Sequence, residues 1–150
     1  MRKLLLASLL LAVPATANAD IGLGLFLGDP SGLDVKIGLE RRSALDLLLG
    51  WNTFRDGRTG YGHLTYLYQV ANGRGRSVRV PLRIGIGGAI YGHEDDINVG
   101  VRAPLELGLR FTRTPIEVYG EIAVLVTFID DNNNYDDIDL QGGVGLRFYF

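Results

Sequence analysis

The sequence predicts an all-β fold, an eight-stranded antiparallel up-and-down transmembrane β-barrel, and three observations predict it. Apolar residues recur at every second position through eight consecutive runs, the period of a strand with one greasy face. Segments rich in Gly, Asp, Asn, Pro and Arg separate the runs, as hairpin turns require. At no strand centre does a charged residue fall on the apolar face.

The first 19 residues stand apart from this pattern. Met1-Arg2-Lys3 is a short positive region, Leu4 to Val13 is apolar, and "ATANA" before Asp20 supplies small residues for cleavage. These are the parts of a secretory signal peptide, and ten apolar residues are too few for the roughly 20 of a spanning helix. Residues 20–150 are then the barrel, the size of one domain. Without Arg2 and Lys3 the chain keeps 13 of its 15 basic residues against 17 acidic ones, a balance unsuited to nucleic acid. Cys is absent, so no disulfide framework holds an exported domain of this kind.

The runs follow in order. Ile21, Leu23, Leu25 and Leu27 oppose Gly22, Gly24, Phe26 and Gly28; "DPSG" (29–32) turns the chain. Leu33, Val35, Ile37 and Leu39 then oppose Asp34, Lys36, Gly38 and Glu40. After residues 41–43 the third run sets Leu45, Leu47, Leu49 and Trp51 against Ala44, Asp46, Leu48 and Gly50. "RDGRTG" (55–60) leads to the fourth, with Leu64, Tyr66, Tyr68 and Val70 opposite His63, Thr65, Leu67 and Gln69. Beyond "NGRGRS" (72–77), Val78, Val80, Leu82, Ile84, Ile86 and Ile90 face away from Arg79, Pro81, Arg83, Gly85, Gly87 and Ala89. "GHEDD" (92–96) precedes the sixth, in which Val99 to Phe111 alternate with Gly100, Arg102, Pro104, Glu106, Gly108 and Arg110. After residues 112–115, Ile116, Val118, Ile122, Val124, Val126 and Phe128 oppose Glu117, Tyr119, Glu121, Ala123, Leu125 and Thr127. "DDNNNYDD" (130–137) leads to the closing strand, "LQGGVGLRFYF". Pro81 and Pro104 each remove a ladder donor, so a local irregularity is expected at both.

Either face of such a barrel could point inward. The interior of eight strands is just wide enough for side chains to fill. The apolar face, mostly Leu, Ile and Val, would crowd it, whereas the other face mixes glycines with long charged residues. Polar-inward packing places Asp34, Lys36, Glu40, Asp46, Arg79, Arg83, Arg102, Glu106, Arg110, Glu117, Glu121, Asp139 and Arg147 in the lumen, seven acids against six bases. Such near-balance offsets the desolvation of buried charge. The outward face then meets lipid, where a Lys or Arg at the midplane costs about 2–4 kcal/mol. Trp51, Tyr66, Tyr68, Phe111, Phe128, Phe148 and Phe150 lie on that face, several near strand ends, as interfacial girdles do.

The signal peptide, the eight alternating strands and the terminal Phe150 make the chain resemble the small outer-membrane β-barrels of Gram-negative bacteria, the OmpA/OmpX-type class. "IGLGLFLGDPSGLDVKIGLERRSALDLLLGW" and "GGVGLRFYF" are also similar to short exported barrel proteins of unknown function. The resemblance implies residence in the bacterial outer membrane, contact with its lipid, and insertion by the barrel-assembly machinery. It also implies that Gly142, Val144, Leu146, Phe148 and Phe150 form the signal which that machinery reads. In this class both termini lie in the periplasm, which would put the turns at 29–32, 55–60, 92–96 and 130–137 outside and the Arg-rich ones inside.

No catalytic, cofactor or metal site is expected. "RIGIGGAIYG" (83–92) has the glycines of a phosphate cradle but no helix to follow. "DDNNNYDD" matches a calcium loop only at Asp130, Asn132 and Asn134. His63 has only Thr65 nearby as a nucleophile, and both face the lumen. The expected role is structural or surface-interacting, with a narrow channel or a lipid-modifying enzyme as the alternatives.

Overall fold

The computed structural model describes residues 20–52, 59–93, 96–129 and 137–150. The expected signal peptide and most of the 55–60 and 130–137 segments lie outside them. Eight antiparallel strands form a closed barrel: β1 (Ile21–Asp29), β2 (Ser31–Gly38), β3 (Ser43–Trp51), β4 (Gly60–Arg74), β5 (Val78–His93), β6 (Asp96–Phe111), β7 (Ile116–Ile129) and β8 (Asp137–Tyr149). Every strand pairs with its sequence neighbour, and β1 pairs with β8 from Gly22↔Tyr149 to Asp29↔Gly142. Closure leaves no unpaired sheet edge, the condition for burying strands in a medium that offers no hydrogen bonds. At the seam the Phe150 amide donates to the Ile21 carbonyl at 2.9 Å, and beside it the Gly38 amide at the end of β2 donates to the Asp20 carbonyl at 2.9 Å.

Several hairpins are tighter than the turn chemistry alone indicates. β4 runs on to Arg74 and β5 starts at Val78, so the "NGRGRS" turn shrinks to residues 75–77. Likewise β5 extends to His93 and β6 begins at Asp96. Polar residues here stay in the ladder because β4–β5 pairing continues through Asn72↔Pro81 to Arg74↔Arg79. Beside this stretch β4 slips register between Gln69 and Ala71. Val70 and Ala71 are then both exposed, and Asn72 takes up the inward side. The β5–β6 ladder keeps one register from Arg79↔Arg110 through Leu82↔Leu107 and Ile84↔Leu105 to Gly87↔Arg102, with pairs missing beside Pro81 and Pro104. The expected irregularity is thus an interruption of the ladder without a change of register.

The Leu, Ile and Val rows face outward and are exposed, Ile86 at 62 % and Leu140 at 72 %. The opposite rows fill the interior in layers. Toward the end away from Asp20 and Phe150 lie Phe26, Leu48, Tyr61, Tyr91 and Leu125, with Tyr61 and Tyr91 stacked at 6.3 Å. Nearer the Asp20 end the filling is ionic.

Gly145 shows how tightly the interior is packed. A Cβ there would lie 2.3 Å from ring atoms of Tyr119. Tyr119 cannot yield, because it is buried, stacked on Phe26 at 5.7 Å and bonded to Asp34 at 2.5 Å. At Gly88, on the outward face, an added methyl group would meet nothing within 4 Å. Gly145→Ala is therefore expected to lower unfolding stability by about 1–3 kcal/mol. Gly88→Ala should stay within about 0.5 kcal/mol of the parent, both read from urea midpoints followed by Trp51 fluorescence.

Candidate functional site: the ion-paired lumen

Strand alternation sends Asp34 and Lys36 from β2, Asp46 from β3, Arg83 from β5, Arg102 and Glu106 from β6, Glu117 and Glu121 from β7, and Arg147 from β8 toward the axis. All nine are buried. Charges removed from water require both counter-ions and hydrogen bonds, and these residues supply them to one another.

Arg147 is the hub. Its Nε donates to Asp34 Oδ2 at 2.5 Å, Nη2 to Asp46 Oδ1 at 2.8 Å, and Nη1 to Glu106 Oε2 at 2.9 Å and Glu117 Oε1 at 3.3 Å. Its guanidinium carbon lies 3.6 Å from the centre of the Tyr119 ring, a cation–π contact in a dry site. Arg83 grips Glu117 with two parallel bonds at 2.9 and 2.8 Å and also donates to Glu106. Lys36 Nζ completes this group, 3.3 Å from Glu106 and 3.9 Å from Glu117.

A second group sits deeper. Arg102 donates to Glu121, to Thr65 Oγ1 at 3.2 Å and to His63 Nε2 at 3.0 Å. The His63 contacts fit the neutral ring protonated on Nδ1, which faces the Tyr61 hydroxyl at 3.4 Å while that hydroxyl donates to Gln141 Oε1 at 3.1 Å. Asp46 Oδ2, 3.4 Å from Nε2, is then a neighbour without a shared proton. Five carboxylates thus meet four cations, so the lumen is close to neutral. Arg102 and Arg147 are 0 % exposed, so solvent does not reach them.

The remaining residues expected in this network lie elsewhere. Glu40 falls beyond the end of β2 in the turn to β3 and is exposed. Arg79 and Arg110 stand on inward-facing positions but at the mouth, Arg79 exposed and Arg110 paired with Asp20 at 2.5 Å. Alternation assigns a face, and depth along the axis depends on strand stagger. Asp139 is half-buried toward the opposite end, where its Oδ1 accepts the Leu140 amide at 3.0 Å. Of the β8 row, Val144, Leu146, Phe148 and Phe150 are exposed on the outer face, with Gly142 in line with them. The expectation of a lumen lined by charge and glycine missed its apolar and aromatic share, Phe26, Leu48, Leu67, Leu125, Tyr61, Tyr91, Tyr119 and Tyr149. Their inward parity was the available signal.

The shared cation should dominate stability here. Arg147→Met leaves four carboxylates short of a counter-ion and is expected to cost about 3–5 kcal/mol, with Asp34→Asn added to it restoring part of the loss. Arg79→Met at the mouth should change stability by less than about 1 kcal/mol. Urea unfolding of the three variants in detergent micelles checks the order.

No protein-family model and no curated protein matches the chain. Among solved structures it is similar to the N-terminal β-barrel domain of Pseudomonas aeruginosa OprF, with 14% identity over 88% of this chain and 96% of that one and a TM-score of 0.60. Ail, the attachment invasion locus protein of Yersinia pestis, aligns at 12% identity over 88% and 95% of the two chains with a TM-score of 0.39. The closed antiparallel topology and the OprF likeness together establish an eight-stranded antiparallel β-barrel fold.

Proposed function

We propose that the chain resides in the bacterial outer membrane, exported on a cleaved signal peptide and inserted by the barrel-assembly machinery acting on the Gly142 to Phe150 row. There it serves as a closed structural or surface-interaction barrel. The observation that carries this reading is the inside-out distribution of polarity. Charged side chains are buried on the axis, while Leu25, Leu33, Ile86, Leu107, Ile122 and Val144, among others, are exposed around the whole circumference. An apolar surface this continuous marks contact with a membrane or partner. A belt on every strand fits lipid better than any single partner. Aromatics flank it, with Trp51 and Phe128 toward one end and Tyr68, Phe111 and Phe148 toward the other.

The ion-paired axis argues against the two alternatives. A channel needs a continuous aqueous path, and Arg102, Glu106, Glu117 and Arg147 are all 0 % exposed. A lipid-modifying enzyme built on His63 and Thr65 would need lipid to reach side chains that are 4 % and 0 % exposed inside the barrel.

Fractionation with detergent extraction tests the location, and the chain is expected in the outer-membrane fraction, soluble only with surfactant. Ile86→Arg distinguishes the solvents directly. Facing lipid, it lowers insertion stability by about 2–4 kcal/mol; facing water, it leaves the barrel's stability unchanged and improves solubility, which would refute the proposal. Deleting Phe150 is expected to reduce the heat-modifiable outer-membrane form while leaving refolding into micelles intact. In planar bilayers the protein is expected to show no discrete conductance steps.

A further inference from the structure

At the end where Asp20 and Phe150 lie, the lumen opens into a cavity of about 1420 Å³. Its charge differs from that of the plug beneath. Arg41 and Arg42 of the β2–β3 turn, Arg74 at the end of β4, Arg79 and Arg83 of β5 and Arg110 of β6 line it, with only Asp20 and Glu40 as acidic side chains. Arg83 forms the floor and is committed to Glu106 and Glu117, and Arg110 is held by Asp20 and stacked 3.8 Å over the Tyr149 ring. The side chains of Arg41, Arg42, Arg74 and Arg79 have no hydrogen-bond or ion-pair partner among the described residues.

This concentration opposes stability. Arg79 is the register partner of both Arg74 and Arg110, placing like charges directly across the sheet on both sides. In the lumen each cation meets carboxylates, whereas at the mouth four guanidinium groups converge on solvent without them. A wall of guanidinium forks suits oxyanions that accept two parallel bonds from each, and a phosphate group offers oxygens to several forks at once while carrying more than one charge. The amides of Gln69 and Asn72, also in the wall, add neutral donors. The volume admits a ligand with more than one phosphate and its water.

We infer that this mouth is a binding site for a multiply charged phosphate group, carried by a free phosphorylated solute or by the headgroup of an anionic lipid at the barrel rim. The site is independent of the barrel's cellular location, because its charge and shape belong to the folded chain alone. With the floor sealed by Arg83 and the ion pairs behind it, the site holds its ligand and does not conduct it.

The test uses the full barrel refolded in a neutral detergent, titrated calorimetrically with inorganic pyrophosphate. The parent is expected to bind saturably and more weakly as salt rises. Joint Arg41→Gln, Arg42→Gln and Arg79→Gln replacement should weaken binding by about tenfold or more, charge-assisted hydrogen bonds being the strong ones. Should that variant fail to show heat-modifiable mobility, Arg79→Gln alone reads the same loss at about threefold. Arg76→Gln, in the exposed β4–β5 turn outside the cavity, is the control and should change binding by less than about twofold. No pyrophosphate binding by the parent, or equal loss in the control and the cavity variants, overturns the inference. Repeating the titration in phosphatidylcholine nanodiscs with and without phosphatidic acid, whose phosphomonoester is multiply charged, identifies the source. Competition by the anionic lipid assigns the site to a headgroup, and undiminished pyrophosphate binding assigns it to a free solute.

Discussion

The structure depends on neutralising charge where water cannot reach. Nine buried charged groups along the axis are tolerable only when paired; Arg147 joins acids on β2, β3, β6 and β7 into one set with Lys36 and Arg83, and Arg102 holds Glu121 in a second. Replacing such a set with well-packed apolar residues could give equal or greater stability, so its value lies in what it specifies. A one-residue slip of β2, β3, β6 or β7 would move its acids onto the apolar face and bring apolar side chains to the axis. The ion pairs therefore tie together the registers of the six strands that supply them.

That register divides the chain between two environments. Outward rows carry bulk without charge. Inward rows alternate long polar side chains with glycines and rings, so that a lumen of eight strands is filled. Tyr119 joins both kinds of filling, stacking on Phe26 on one side and under Arg147 on another while donating to Asp34. The aromatic layer near Tyr61 and Tyr91 closes the other end, where Tyr91 shares a 2.8 Å hydrogen bond with Thr127.

Much of this was legible in the sequence, because a period of two is both a statement about local backbone and a statement about which side chains share a face. Strand number, pairing order and the inward set Asp34, Lys36, Asp46, Arg83, Arg102, Glu106, Glu117, Glu121 and Arg147 follow from alternation. Depth does not, which is why Glu40, Arg79 and Arg110 belong to the mouth. Nor does the slip at Gln69 and Ala71, since nothing in "YQVANGR" marks the bulge, yet that slip turns Asn72 inward and sets Arg74 in the mouth. Leu47-Leu48-Leu49 has no alternation of its own, and only Asp46 and Gly50 on either side assign Leu48 to the interior.

The placement of Arg147 on β8 has a consequence for biosynthesis. A ribosome releases the chain from its amino end, so Asp34, Asp46, Glu106, Glu117 and Glu121 all emerge before the guanidinium that binds four of them together. A nascent fragment holding only the earlier strands would have to enclose surplus negative charge and leave its first strand without a companion. Electrostatics thereby disfavours closure of any fragment that lacks β8.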